Sequence, residues 1–188
     1  MLTAVDPLPS RPRRIAIAGV SGVGKTTLAR RVAAIVAAPH TEIDSLYHGP
    51  NWVPRPEFLD DVRALVAADA WVTEFQYRVA RPLIAERMDL LVWLDLPYWR
   101  VNFPRVVWRT LSRRVTGRPM WNGNTEGPLR RIFTDEDHII RWSVTHRNRE
   151  RDRLPRLVEA KGWTTVRLGS TRDVERWLAG PLRDAMAG

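Results

Sequence analysis

The sequence predicts a three-layer α/β fold, a five-stranded parallel sheet with helices on both faces, and two observations carry that expectation. Short apolar, β-branched runs alternate along the chain with segments of helical spacing, the pattern of parallel strands joined by helical crossovers. The first run, residues 14–18, passes through a glycine-rich loop directly into a helix. That loop, Gly19-Val-Ser-Gly-Val-Gly-Lys-Thr-Thr27, fills the pattern G-x-x-x-x-G-K-[ST] with Gly19, Gly24, Lys25 and Thr26.

The chemistry of such a loop follows from its backbone. Glycines at 19, 22 and 24 let successive N–H groups, including those of Ser21, Val23 and Thr27, turn inward around phosphate oxygens, and the helix behind them adds its positive end. Lys25 reaches the β and γ phosphates, and the Thr26 hydroxyl ligates Mg²⁺, so ATP with Mg²⁺ is the expected cofactor pair. Lys25 and Lys161 are the only lysines in a chain with 30 Lys plus Arg. A compact, flexible ammonium is retained where the phosphates would lie.

The remaining elements follow in order. Thr41-Glu-Ile-Asp44 reads as a second strand, and a turn-rich stretch to Pro56 leads into a helix from Glu57 to about Ala68 with Phe58, Val62, Leu65 and Val66 on one face. Trp71-Val-Thr-Glu74 is the third strand, a short helix spans Val79 to Arg87, and Leu90-Leu-Val-Trp-Leu94 is a continuous apolar run of the buried parallel type. Pro97 suits the first turn of a basic helix reaching about Val115, which Pro104 should kink or divide. Residues 116–128, rich in glycine and proline, are expected to be a mobile loop. Thr134-Asp-Glu-Asp137 resembles a capping box opening a polar helix through about Arg149, Trp163 to Leu168 is the last strand, and Ser170-Thr-Arg-Asp173 caps the last helix.

With 188 residues and 44% hydrophobic content, the chain suits one domain, 14–188, behind a short disordered tail of residues 1–13. The net charge of +9 and a pI near 11.1 invite a nucleic-acid partner. The arginines, however, are spread from Arg11 to Arg183 rather than gathered in one tract, so nucleic acid is not favoured. The chain has no cysteine, which removes disulfides and Cys-based zinc sites and fits the cytoplasm. Neither a secretory signal nor an apolar run long enough for a membrane is read. Nothing in the sequence sets an oligomeric state.

The spacing from the phosphate loop through Ile43-Asp-Ser-Leu-Tyr47, Asn51-Trp-Val-Pro-Arg-Pro56 and Trp71-Val-Thr-Glu-Phe-Gln-Tyr77 to Leu94-Asp-Leu-Pro97 resembles the adenylate-kinase-related proteins of the topology modulation type. The resemblance covers about residues 14 to 180. It implies a nucleoside-monophosphate-kinase-like phosphate-loop fold, an acceptor-binding segment at about 45–70 and an arginine-bearing lid at about 109–131. Where relatives carry W-V-x-D-G-N-Y, this chain has Glu74 at the acidic position and Phe75 at the glycine. Glu42-Ile-Asp-Ser-Leu-Tyr-His-Gly-Pro-Asn51 also resembles the D-x-D-x-L-H region of gluconate-type kinases.

These segments supply the candidate site. Glu42 and Asp44, two apart on the expected strand, would project to one face, and Asp44 would orient or deprotonate an acceptor hydroxyl or hold Mg²⁺ through water. Glu74 is a candidate for metal or acceptor contact. Asp95 ends an apolar strand as a Walker B acid does, or simply starts the next helix; which of the three acids supports Mg²⁺ stays open. Arg109, Arg113, Arg114 and Arg118 precede or enter the glycine-rich loop. Arg109 is assigned to the nucleotide, and Arg113 and Arg118 to the lid charge over the transferred phosphoryl group. Arg130, Arg131, Arg141 and Arg147 read more readily as a solvated helix face. Trp52 would stack on a base or sugar, or is structural, and Arg55 would fork onto a phosphate or carboxylate.

The expected activity is transfer of the ATP γ-phosphate to a small acceptor, a nucleotide, nucleoside or sugar acid. The alternative is a nucleotide-dependent nucleic-acid-binding or regulatory protein. No N-K-x-D guanine-reading motif and no L-S-G-G-Q transporter signature occurs.

Overall fold

The computed structural model describes residues 1–117, 120–124, 135 and 138–188. Strands β1 (Arg14–Ala18), β2 (His40–Thr41), β3 (Trp71–Glu74), β4 (Leu90–Leu94) and β5 (Thr165–Leu168) form one all-parallel sheet in the order β2-β3-β1-β4-β5. The helices are α1 (Lys25–Val36), α2 (Ile43–Tyr47), α3 (Phe58–Ala67), α4 (Arg81–Arg87), α5 (Phe103–Thr116), α6 (Ile139–Thr145), α7 (Arg149–Lys161), α8 (Thr171–Ala179) and α9 (Pro181–Ala187).

Side-chain alternation along the strands builds a separate core on each face. Ile15 and Ile17 of β1 join Val72, Leu90, Val92 and Leu168 under α1, α8 and α9, where Leu28, Val32, Trp177 and Leu182 close the layer. Ala16 and Ala18 point the other way. Their small side chains leave room for Trp71 and Trp93 beneath α3, α4 and α7, which contribute Val62, Ile84 and Leu154. The expected sheet with helices on both faces is therefore present, and β1, flanked by β3 and β4, delivers its loop to the end of the sheet where the strand order reverses direction.

Several expected boundaries differ. The second strand stops at Thr41, and Ile43 already begins α2, because the Ile43 N–H donates to Glu74 Oε2 (3.0 Å) instead of continuing a ladder. Glu42 and Asp44 consequently do not share a strand face. The short helix begins at Arg81 rather than Val79. The basic helix is divided: one π-helical turn, Tyr98–Asn102, precedes α5, and Pro104 falls in the first turn of α5, where its missing N–H costs nothing.

Of the expected capping box only Asp135 lies within the described residues. The cap of α6 is His138, whose ring accepts the Ile140 N–H, and α6 ends at Thr145. His146 stacks on Trp142 at 3.7 Å and α7 starts afresh after it. The final helical region is two helices parted by Gly180 and Pro181; Ser170 caps the first as expected, its Oγ accepting from the Asp173 N–H.

Residues 1–13 correct the disordered-tail expectation. Leu2 pairs in parallel with Val166, its N–H donating to the Thr165 carbonyl (2.7 Å) and its carbonyl accepting from Arg167 N–H (2.9 Å). Ala4 is buried, and Leu2 and Leu8 pack against the same core. Among the described residues no helix is long and apolar enough to cross a membrane. Deleting residues 1–5 is expected to lower stability by about 2–4 kcal/mol, from the lost pairing and apolar burial. Urea unfolding checks this; a tail without structure would leave the midpoint unchanged.

Candidate functional site

The phosphate loop turns on conformations that only glycine takes easily. Gly24, the N-cap of α1, has φ +103°. Gly22 has φ +76°, and a Cβ there would lie 2.3 Å from Val106 Cγ2 and 2.8 Å from the Asn102 carbonyl oxygen. The close approach at Gly22 seats α5 directly against the loop. Arg105, one turn before Arg109, thereby donates to the Val23 carbonyl (3.3 Å). Sequence reasoning passed over Arg105; its i, i+4 spacing to Arg109 was the available signal.

Lys25 folds back across the loop, its Nζ donating to the Gly19 and Val20 carbonyls at 3.0 and 3.2 Å. Burial pushes its ammonium below the ordinary lysine value. Asp44 and Glu74 oppose that shift and the Arg109 charge adds to it, so four of the expected residues, Lys25, Asp44, Glu74 and Arg109, lie in one electrostatic neighbourhood. Ser21, Gly22, Val23 and Thr27 sit on the loop around them.

The two acids meet different environments. Glu74, 2% exposed at the end of β3, accepts the Ile43 N–H and lies 3.4 Å from His40 Nε2. Burial alone would raise its pKa, but the His40 and Ile43 contacts, with the Thr26 hydroxyl beside it, hold it below the usual carboxylate range. Asp44 sits in the first turn of α2, and its Oδ1 accepts from Gln76 Nε2 (2.7 Å) and the Tyr77 hydroxyl (2.6 Å). Burial pushes Asp44 upward, more than Tyr77 and Lys25 pull it down. Tyr77 has φ +55°, a backbone rarely adopted by a large side chain, and its hydroxyl also lies 3.1 Å from His48 Nε2.

The oxygen donors beside the phosphate loop have the chemistry that Mg²⁺ takes. Among the described residues no group of three His, Asp or Glu side chains is arranged to hold a metal alone. A magnesium shared with phosphates requires only one or two protein oxygens, and the neighbouring Thr26 hydroxyl and Glu74 carboxylate are oxygens of the kind that could hold it. Asp95 is otherwise engaged. It is buried and carries an arginine on each oxygen, Arg151 Nε at 2.6 Å and Arg167 Nε at 3.0 Å.

A second layer joins the segment after Asp44 to the stretch after α5. Asn51 and Trp52 both have positive φ, and the Trp52 N–H donates to Asn124 Oδ1 (3.0 Å) while Asn124 Nδ2 donates to the Gly49 carbonyl (2.8 Å). Trp121 Nε1 donates to Glu42 Oε2 (2.8 Å), Asn122 donates to the His48 carbonyl, and the Trp121 ring stacks on His48. Glu42, expected to face the site beside Asp44, pairs with Arg30 and Trp121 instead. Trp52 meets His48 and Trp121 edge-on and is 39% exposed, so it is not a core tryptophan.

Among the expected arginines, Arg113 lies over Trp121 at 6.0 Å with its NH1 2.8 Å from Met120 Sδ, and Arg114 is exposed. Arg55 is held by Asp61 (2.9 Å) and the Leu46 carbonyl, an internal brace between α2 and α3 rather than a free fork. Arg118, Arg130 and Arg131 lie outside the described residues.

No protein-family model matches the chain, and no curated protein matches it in sequence. Among solved structures, a gluconokinase from Sinorhizobium meliloti aligns at 18% identity over 95% of this chain and 96% of its own, with a TM-score of 0.51. The two share the fold, a five-stranded parallel sheet with helices on both faces. A proposed kinase from Chloroflexus aurantiacus aligns at 17% identity, covering 63% of this chain and 75% of its own, with a TM-score of 0.42. A sugar kinase from Janibacter aligns at 20% identity over 70% and 78%, at 0.35.

The opposed shifts give a test with a definite sign. Because Asp44 titrates higher in the folded chain than unfolded, the stability it lends is greatest at acid pH and is lost as pH rises from about 4 through its folded pKa. Asp44→Asn should therefore unfold at a higher temperature than the native chain near neutrality, with the gap closing toward pH 4. Glu74 has the opposite sign, its contribution being present above the unfolded pKa and lost on acidification. Glu74→Gln should lose about 1–3 kcal/mol at pH 7. Thermal unfolding of the three proteins across pH reads both effects, and parallel curves would refute the assignment.

Proposed function

We propose that the protein is an ATP- and Mg²⁺-dependent phosphotransferase that moves the γ-phosphate to a hydroxyl or phosphate oxygen of a small acceptor. The observation that carries this reading is the separation of the two acids beside Lys25. Two carboxylates whose environments drive their pKa values apart can divide one reaction between them. Glu74, held ionised beside Thr26, suits the metal; Asp44, raised and fixed through Oδ1, suits proton transfer.

In this mechanism the loop N–H groups and Lys25 hold the β and γ phosphates. Thr26 and Glu74 would hold Mg²⁺, which when bound would supply neutralisation of the phosphate charge. Gln76 and Tyr77 fix Asp44, leaving its second oxygen to take the proton of an acceptor hydroxyl as that oxygen forms its bond to the γ-phosphorus and the bond to the ADP oxygen breaks. Arg105 and Arg109, presented by α5, supply positive charge near the loop, Arg113 follows on the same helix, and Arg118 is the further candidate in the proposed lid at about 109–131. The acceptor segment at about 45–70 would place Trp52 and the His48 and Trp121 rings against the acceptor, with Arg55 bracing it.

The sequence motifs support the adenylate-kinase-related, topology modulation type, whereas the gluconokinase likeness in fold brings a sugar acid among the acceptors to be tried. An enzyme of this kind draws on cytoplasmic ATP. The test is transfer of label from γ-labelled ATP with Mg²⁺ to nucleoside monophosphates, nucleosides and sugar acids. One acceptor class should take label, Lys25→Ala should lose transfer, and Asp44→Asn should slow it at least about 100-fold while still binding ATP. Unchanged turnover in Lys25→Ala would overturn the reading.

A further inference from the structure

Arg81, at the start of α4, is 13% exposed as a side chain and makes one hydrogen bond to an acid, from NH2 to Glu150 Oε1 at 2.9 Å. Its Nε and NH1 are buried and without a hydrogen-bond partner among the described residues. The other oxygen of Glu150 accepts from Arg153 NH2 at 3.2 Å, and the Arg153 Nε is likewise buried with no partner among the described residues. Arg149 also presses its charge on Arg81. Two guanidinium groups thus grip one carboxylate, each with buried N–H donors left over, and a third cation lies near Arg81.

Such an arrangement is costly as it stands. A guanidinium stays charged at neutral pH, so it cannot shed its unmet hydrogen bonds by losing a proton. The Phe75 ring 5.6 Å from Arg81 Cζ offers a cation–π contact but accepts none of the in-plane N–H groups. One more oxyanion would satisfy the donors and balance the charge.

Its location ties it to the site. The turn between β3 and α4 carries Glu74, then Gln76 and Tyr77, which fix Asp44, then Arg81, whose N–H donates to the Tyr77 carbonyl. Glu150 lies close enough to oppose the shift of Lys25, and it lines a small cavity with Val20 of the phosphate loop.

Resting on the phosphotransferase reading, we infer that Arg81 and Arg153 form an anion socket for the acceptor, so that the substrate carries a carboxylate or phosphate group. Arg153, the more exposed of the two, is the side from which the anion is reached. Glu150 holds the two guanidinium groups apart in place, and their shielding from water strengthens each charge-assisted hydrogen bond.

The test is calorimetric and needs no turnover. D-gluconate and AMP, each against its uncharged counterpart, D-glucitol and adenosine, are titrated into the full chain with a non-hydrolysable ATP analogue filling the phosphate loop. One anion should bind at least about tenfold more tightly than its neutral counterpart, and Arg81→Gln should abolish that preference. Gluconate preference would identify the ligand group as a carboxylate, AMP preference as a phosphate. No preference for either anion, or a preference untouched by Arg81→Gln, overturns the socket. Should Arg81→Gln fail to fold, Arg153→Gln and the native chain's own preference decide. A preserved anion preference without label transfer would remove the kinase reading and leave the socket; transfer to neutral acceptors, indifferent to Arg81, would do the reverse.

Discussion

The buried Glu74 carboxylate ties the site to the sheet. One oxygen stops β2 and starts α2 by taking the Ile43 N–H; the other faces His40, and Thr26 at the head of α1 lies alongside. Four elements therefore depend on one ionised group at the end of β3. Without it the Ile43 N–H would be a buried donor lacking a partner, and the turn that swings Asp44 toward Lys25 would lose its fixed point. The same group that shapes the backbone lies beside Thr26 of the phosphate loop, so the geometry of the candidate site and the local fold cannot vary independently.

The large features were legible because they follow strong local rules. Glycines in the loop, the Ile15 and Ile17 alternation and the unbroken Leu90–Leu94 run led to the strand, loop and helix order and to a parallel sheet. What misled was distant in sequence. The end of β2 is set by Glu74, thirty-odd residues away along the chain, and no propensity at Thr41–Asp44 reports it. Asp95 looked like a metal acid from its place after an apolar strand, but Arg151 and Arg167 reach it from residues that no local pattern connects. Arg55 had the chemistry of a ligand fork and was already occupied by Asp61. In each case composition named the right chemical group and tertiary contact decided its duty.

Past α5 the chain returns to the stretch that follows β2, and Trp121, Asn122 and Asn124 bond to Glu42, His48, Gly49 and Trp52. These bonds make the two segments one mechanical body. The left-handed backbone at Asn51 and Trp52 is held by the same contacts, since Asn124 binds on both sides of that turn. Movement of the segment after α5 would relax that turn and shift the aromatic rings around His48 at the same time.

The pairing of Leu2 with Val166 has a consequence unconnected with catalysis. β5 is an outer strand of the sheet, and a free outer strand offers its backbone to any extended chain that meets it. Leu2 occupies part of that rim, while the opposite rim, β2, is only two residues long and gives little to pair with. The ends of the sheet are thereby blunted against edge-to-edge association, and a peptide fused ahead of Met1 would be delivered to the very rim that Leu2 guards.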